Sequence, residues 1–155
     1  METIALDTVG TERVEDVGTA TEALKAHGMR VTPQRIAVYD ALVPRKDHPS
    51  VDQIYTQVKE RCPTISLNTV YTTLTMMAKA ELIRQIDAGD GLCRYDGNPR
   101  PHLHIVCTDC HRVDDLDLDM TADAKSLLQR AADTSGYDIN DYAIYFYGCC
   151  PSCRR

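Results

Sequence analysis

Two Cys-x-x-Cys pairs, Cys107 with Cys110 and Cys150 with Cys153, constrain this chain more than any other feature. Their spacing suits a tetrahedral four-thiolate zinc centre, a closed shell that leaves no open position for catalysis. One pair needs the other, so the end of the chain must return to the segment around residue 107. The neighbouring Cys149 leaves a choice, because Cys149 with Cys153 is also a permissible ligand spacing. Cys62 and Cys93 read as small core residues. Among 155 residues with seven cysteines there is no apolar run near the roughly 18 residues of a membrane span. Residues 1–18 are acidic and lack the basic-then-apolar order of a signal peptide. A cytoplasmic protein with no membrane partner is therefore expected, and its reduced thiols favour metal over disulfides.

A second set of metal-binding side chains lies between Asp96 and Asp115. His102 and His104 stand two apart in an apolar segment, so on a β-strand both imidazoles leave the same face. Asp96 and Asp115 supply oxygens nearby, and His48 can join only if the two halves of the chain fold together. Imidazole with carboxylate suits Fe(II), Mn(II) or Zn(II), whereas Cu(I) prefers sulfur and Mg(II) prefers oxygen. His111 is expected to point away as a surface residue.

The rest of the chain divides by pattern. Residues 1–18 show no periodicity and read as a flexible leader. A short helix anchored by Leu24 ends at Gly28, and a second opens at Thr32-Pro33 with Ile36, Val38, Tyr39 and Leu42 inside. Ser50-x-x-Gln53 is a capping box that starts a third. A fourth, capped by Ser66, carries Leu67, Val70, Leu74 and Met77 as an apolar seam. Strand-like runs at 82–87 and 92–95, joined by Ala88-Gly89-Asp90-Gly91, make a hairpin. Helices followed by a hairpin spell a winged helix-turn-helix over 19–96. Residues 97–101, Gly-Asn-Pro-Arg-Pro, form a hinge. Beyond it, strand, strand, helix and strand at 102–107, 112–118, 121–134 and 137–147 describe a small α/β domain over 102–155. Ala124, Leu127, Leu128 and Ala131 are the helix's buried stripe. The run from Tyr142 to Tyr147 is apolar enough to be covered on both faces, as at a subunit interface. The fold class is thus α+β.

The overall charge is −6, but it is uneven. Residues 21–86 carry nine basic and six acidic side chains, and only this block is positive. Any affinity for DNA must come from local contacts, helped by a dimer or an effector. Asn68, Thr69, Tyr71 and Thr72 at the start of the fourth helix are the types found at a base-reading helix N-terminus. Arg30, Arg35, Lys46 and Lys79 are candidate phosphate contacts. A metalloenzyme would be the rival function, but no nucleophile–base pair or substrate-binding motif accompanies the ligands, and no organic cofactor is implied.

Several motifs carry a family likeness: His27-Gly28-Met29-Arg30-Val31-Thr32-Pro33-Gln34-Arg35, His48-Pro49-Ser50, Ile65-Ser66-Leu67-Asn68-Thr69-Val70-Tyr71, His102-Leu103-His104 and Cys107-Thr108-Asp109-Cys110. Together they resemble the ferric uptake regulator family over residues 20–153. The resemblance implies a homodimeric, metal-dependent repressor of transcription that binds operator DNA and is no enzyme. Iron-sensing members usually carry glutamate where Asp96 and Asp115 stand, so the two aspartates resemble the peroxide-sensing branch. By that likeness His48, Asp96, His102, His104 and Asp115 hold Fe(II) or Mn(II), the four cysteines hold structural Zn(II), and peroxide oxidises His48 or His102 when iron is bound. His111 stands where glycine is usual, and Cys149 crowds the second cysteine pair.

Overall fold

The computed structural model describes residues 19–88, 91–100, 102–116, 118, 121–139, 142 and 144–154. The expected leader over 1–18, and Gly89 and Asp90 of the expected turn, Pro101 of the expected hinge and Ala143 of the expected last strand, lie outside them. Four helices come first, α1 (Ala20–Ala26), α2 (Pro33–Leu42), α3 (Val51–Arg61) and α4 (Leu67–Lys79). Each begins where a hydroxyl accepts a backbone N–H of the first turn: Thr19, Thr32, Ser50 and Ser66 are the N-caps, and Ser50 with Gln53 completes the expected capping box. Such a cap stabilises a helix by about 1 kcal/mol. The Met29 N–H bonds the Leu24 carbonyl and the Gly28 N–H bonds Lys25, with Gly28 at φ +67, which closes α1 in a left-handed cap. The same hydrogen-bond pattern ends α4, with Glu81 at φ +57 in the place glycine favours.

The helices enclose one core. Leu24, Val38, Leu42, Ile54, Val58, Val70, Leu74 and Met77 are all buried, and Cys62 and Cys93 pack half-buried against them. Leu67 departs from the expected seam and is 41% exposed. It is the first residue of α4, one turn short of where the helix meets its neighbours.

Strands β1 (Arg84–Asp87) and β2 (Cys93–Asp96) pair antiparallel as the wing, with Arg84 opposite Asp96. Leu82 and Ile83, expected at the start of β1, instead belong to the helical core. A bridge from Ser50 to Arg94 and the Tyr95 N–H to the Pro49 carbonyl, 3.0 Å, stitch the segment before α3 to β2. Strands β3 (Leu103–Cys107), β4 (Val113–Leu116) and β5 (Tyr145–Gly148) form a second sheet in the order β4-β3-β5. The β3–β4 pair is antiparallel and the β3–β5 pair parallel. Ile86 and Ala88 close a smaller core with Val106, Val113 and Tyr145. The helices, wing and this sheet make one compact unit, Gly18–Asp117 with Ala143–Arg155. The fold is α+β.

Helix α5 (Thr121–Ser135) belongs to the other unit, which holds Leu118–Tyr142. In its expected stripe Ala124 is buried and Leu128 and Ala131 half-buried, but Leu127 is 56% exposed. The last strand is shorter than its apolar run suggests. It starts at Tyr145 because pairing with β3 spans only His104 to Cys107. Nor is it covered on both faces within one chain, since Tyr147 is 61% exposed.

Candidate metal centres

The two cysteine pairs meet. The knuckle Cys107-Thr108-Asp109-Cys110 follows β3, Cys150 and Cys153 follow β5, and the parallel pairing of those strands sets the pairs side by side. All four sulfurs lie within 4.8 Å of one another. Cys110 Sγ and Cys150 Sγ are 3.9 Å apart, close to the roughly 3.8 Å edge of a tetrahedron with 2.3 Å zinc–sulfur bonds and far from the 2.05 Å of a disulfide. Backbone N–H groups of Cys110, Cys150 and Asp109 aim at Cys107 Sγ and hold its pKa down to about 6, which favours the thiolate that a metal takes. Cys149 stands outside this group. Its thiol donates to Asp109 Oδ2 at 3.1 Å, and that carboxylate pushes its pKa up to about 11. His111 closes the knuckle at φ +56, donating its N–H to the Cys107 carbonyl, and is half-buried.

The second cluster is built on the same sheet. His104 of β3 faces Asp115 of β4 across the antiparallel register, and His102 stands two residues before His104. Asp96 ends β2. His48 comes from the segment stitched to that strand, in a left-handed conformation, φ +45, that a non-glycine residue adopts only under constraint. One constraint is visible: His48 Nδ1 lies 3.1 Å from the Val113 carbonyl. Donation there leaves Nε2 as the free lone pair, the arrangement a metal-binding histidine needs. His102 is fixed likewise, with Nδ1 2.8 Å from the Arg100 carbonyl. No sequence signal marks either carbonyl, because a backbone acceptor has no residue type.

All three Nε2 atoms converge on two carboxylate oxygens. His48 is 2.9 Å and His102 3.1 Å from Asp115 Oδ1; His102 is 3.0 Å and His104 3.5 Å from Asp96 Oδ2. Five ligand atoms within 4.8 Å of one another could hold one ion. The fit shows in what hydrogen bonding leaves undone: His48 Nε2, His104 Nε2 and Asp96 Oδ2 are buried and make no hydrogen bond of proper geometry. Three such atoms in one place carry a desolvation cost that a cation at their centre removes. Without metal the histidines and carboxylates share protons. His102 is pushed up to about 10 by Asp115 and then Asp96. Burial raises the carboxyl of Asp96, but the His102 and His104 imidazoles beside it, at 3.0 Å and 3.5 Å, outweigh burial and bring it to about 2. Burial also raises Asp115, and His102 and His48 hold it lower still; for His48 the two carboxylates outweigh desolvation and raise its pKa. Asp96 and Asp115 are therefore charged at neutral pH.

On α4, Asn68 is exposed, Tyr71 is 51% exposed and Thr69 is half-buried. The Thr72 hydroxyl turns back to the carbonyls of Asn68 and Thr69. Arg30 and Arg35 line a cleft of about 380 Å³ with His27, Met76 and Lys79, and Lys46 lies elsewhere. Arg35 is already oriented, its guanidinium donating to the Arg30 carbonyl at 2.8 Å and lying 3.6 Å from Met76 Sδ.

The chain is similar to known proteins. The chain is 31% identical over 136 residues to the peroxide operon regulator of Bacillus subtilis (strain 168), covering 88% of this chain and 92% of that one. It is 34% identical to the ferric uptake regulation protein of the same organism, covering 84% and 89%. Overall identity thus does not separate the two kinds of relative. A crystal structure of the Campylobacter jejuni peroxide stress regulator superposes with a TM-score of 0.68 at 30% identity, covering 86% of this chain and 98% of that one. A family model described as the ferric uptake regulator family matches residues 26–147, and the chain belongs to that family.

Proposed function

We propose that this protein is a metal-dependent, peroxide-responsive repressor of transcription that binds operator DNA as a homodimer in the cytoplasm, and not an enzyme. The observation that carries this reading is the cluster of His48, Asp96, His102, His104 and Asp115. His48 belongs to a winged-helix DNA-binding domain over 19–96 and His102, His104 and Asp115 to a dimerisation domain over 102–155, with 97–101 as the hinge. Ligands from both sides make capture of one ion favour a single arrangement of the two. In a dimer that arrangement fixes the spacing of two α4 helices, and DNA affinity rises by the metal's preference for it. Asn68, Thr69, Tyr71 and Thr72 then face bases while Arg30 and Arg35 hold phosphates. Phe146 and Tyr147, exposed on β5 in the single chain, are apolar surface that a second copy would cover.

Cys107, Cys110, Cys150 and Cys153 hold structural Zn(II). Three imidazoles and two carboxylates suit Fe(II) or Mn(II) as the regulatory ion. The names of the Bacillus subtilis and Campylobacter jejuni relatives support peroxide as the signal, and so do the aspartates at 96 and 115. Iron(II), were it bound, would activate peroxide so that one peroxide oxygen adds at a ring carbon of a ligand imidazole, the two-electron oxidation being balanced by the other oxygen leaving as water. His48 or His102 is the residue so altered. An oxidised imidazole no longer completes the clamp, and the operator is released. The ferric uptake regulation relative supports a second reading, metal sensing without peroxide.

A DNA-binding titration with Fe(II), Mn(II) and Zn(II), each with and without peroxide, tests these readings. Peroxide is expected to abolish binding of the Fe(II) form and spare the Mn(II) form. Loss of neither leaves metal sensing alone, and binding indifferent to all three metals overturns the proposal.

A further inference from the structure

We propose that Tyr145 positions the His104 imidazole for metal capture, an inference that rests on the regulatory-metal reading above. Tyr145 and His104 are direct partners in the parallel β3–β5 register, so their side chains leave the same face of the sheet. Their rings lie 5.7 Å apart at 19°, a stacked pair. His102 and His48 crowd the same imidazole at 4.3 Å and 5.0 Å between centroids, tilted and edge-on. His104 Nε2 is buried and makes no hydrogen bond of proper geometry, Asp96 Oδ2 lying 3.5 Å away, so the rings packed around the imidazole help set its aim.

Stacking does more than hold the ring. A coordinated imidazole gives electron density to the cation and becomes positively polarised, while the face of a phenol ring carries negative charge. The stack is therefore stronger when metal is bound than when it is not, which makes it a contribution to affinity and not only to folding. Tyr145 also packs, partly buried, against the small core formed by Ile86, Ala88, Val106 and Val113. That contact holds the phenol in place while His104 takes up its ligand.

The test uses full-length, zinc-loaded protein titrated with Co(II), read by affinity and by the d–d absorption bands that report ligand geometry. Tyr145→Leu keeps apolar volume and loses the ring; it is expected to bind Co(II) about tenfold more weakly, the usual effect of removing an orienting neighbour, with altered bands. Tyr145→Phe keeps the ring and is expected to restore both. If Tyr145→Leu fails to fold, Tyr145→Met serves the same comparison. Tyr145→Leu with the affinity and spectrum of the parent overturns the role of Tyr145, and so does Tyr145→Phe as impaired as Tyr145→Leu. A parent protein that binds no Co(II) beyond the thiolate site overturns the regulatory-metal reading as well.

Discussion

His48 decides whether the nitrogen–oxygen cluster is one site or a fragment of one. Its Nε2 is 2.9 Å from Asp115 and buried, and its ring is braced by Val113. His48→Ala is expected to weaken Mn(II) binding at least about tenfold and to remove metal-dependent DNA binding, while zinc content and dimer mass stay as in the parent. Equilibrium dialysis, metal analysis and a DNA-binding assay check the three. Protons compete with metal at His102, whose pKa in the metal-free cluster is about 10. Since only neutral imidazole coordinates, metal uptake at neutral pH must release that proton, and apparent Mn(II) affinity should climb about tenfold per pH unit above neutrality. Calorimetry in buffers of different ionisation enthalpy measures the proton count; no release would contradict the shared-proton cluster. The sign runs the other way for the metal-free fold. A pKa raised from 6.5 stabilises it fully below that pH and ceases to as pH rises through about 10. Much of this was legible from residue types: His-x-His on a strand and the two cysteine pairs name six side chains, and Asp96 and Asp115 stand close by in the chain. Sequence could not choose between Cys149 and Cys150, because either spacing closes a tetrahedron; the Asp109 contact separates them in space.

At the scale of elements, caps and seams were the readable part. Thr32-Pro33, Ser50-x-x-Gln53 and Ser66 each start a helix where their hydroxyls say they should. What periodicity could not show is where an element stops touching its neighbours, hence exposed Leu67 and Leu127 and a last strand cut to its paired residues. Gly97 illustrates a constraint that composition labels only as loop. A Cβ there would sit 2.6 Å from Val43 Cα, so the chain leaving Asp96 passes against the backbone at the end of α2. Gly97→Ala is expected to cost about 1–3 kcal/mol by overpacking and to lower metal affinity by moving Asp96. Urea unfolding with a Mn(II) titration checks both; unchanged stability would contradict the close approach.

For the whole molecule, the sheet that bears the cysteines also bears His104 and Asp115, and it shares a small core with the wing. Zinc on the four cysteines would thus hold together the strands on which the proposed regulatory ligands His104 and Asp115 stand. That His48, 54 residues before His102 in the chain, would reach this site could not be read from spacing, since the join depends on packing between Ile86, Ala88 and Val113. Among the described residues no helix is long and apolar enough to cross a membrane. The central claim is that metal and DNA select the same arrangement, and linkage makes it reciprocal. The most direct measurement is Mn(II) affinity with and without a saturating DNA fragment selected in vitro for tight binding. DNA should tighten Mn(II) by the same factor, about tenfold or more, by which Mn(II) tightens DNA. A Mn(II) affinity unchanged by DNA would contradict the account.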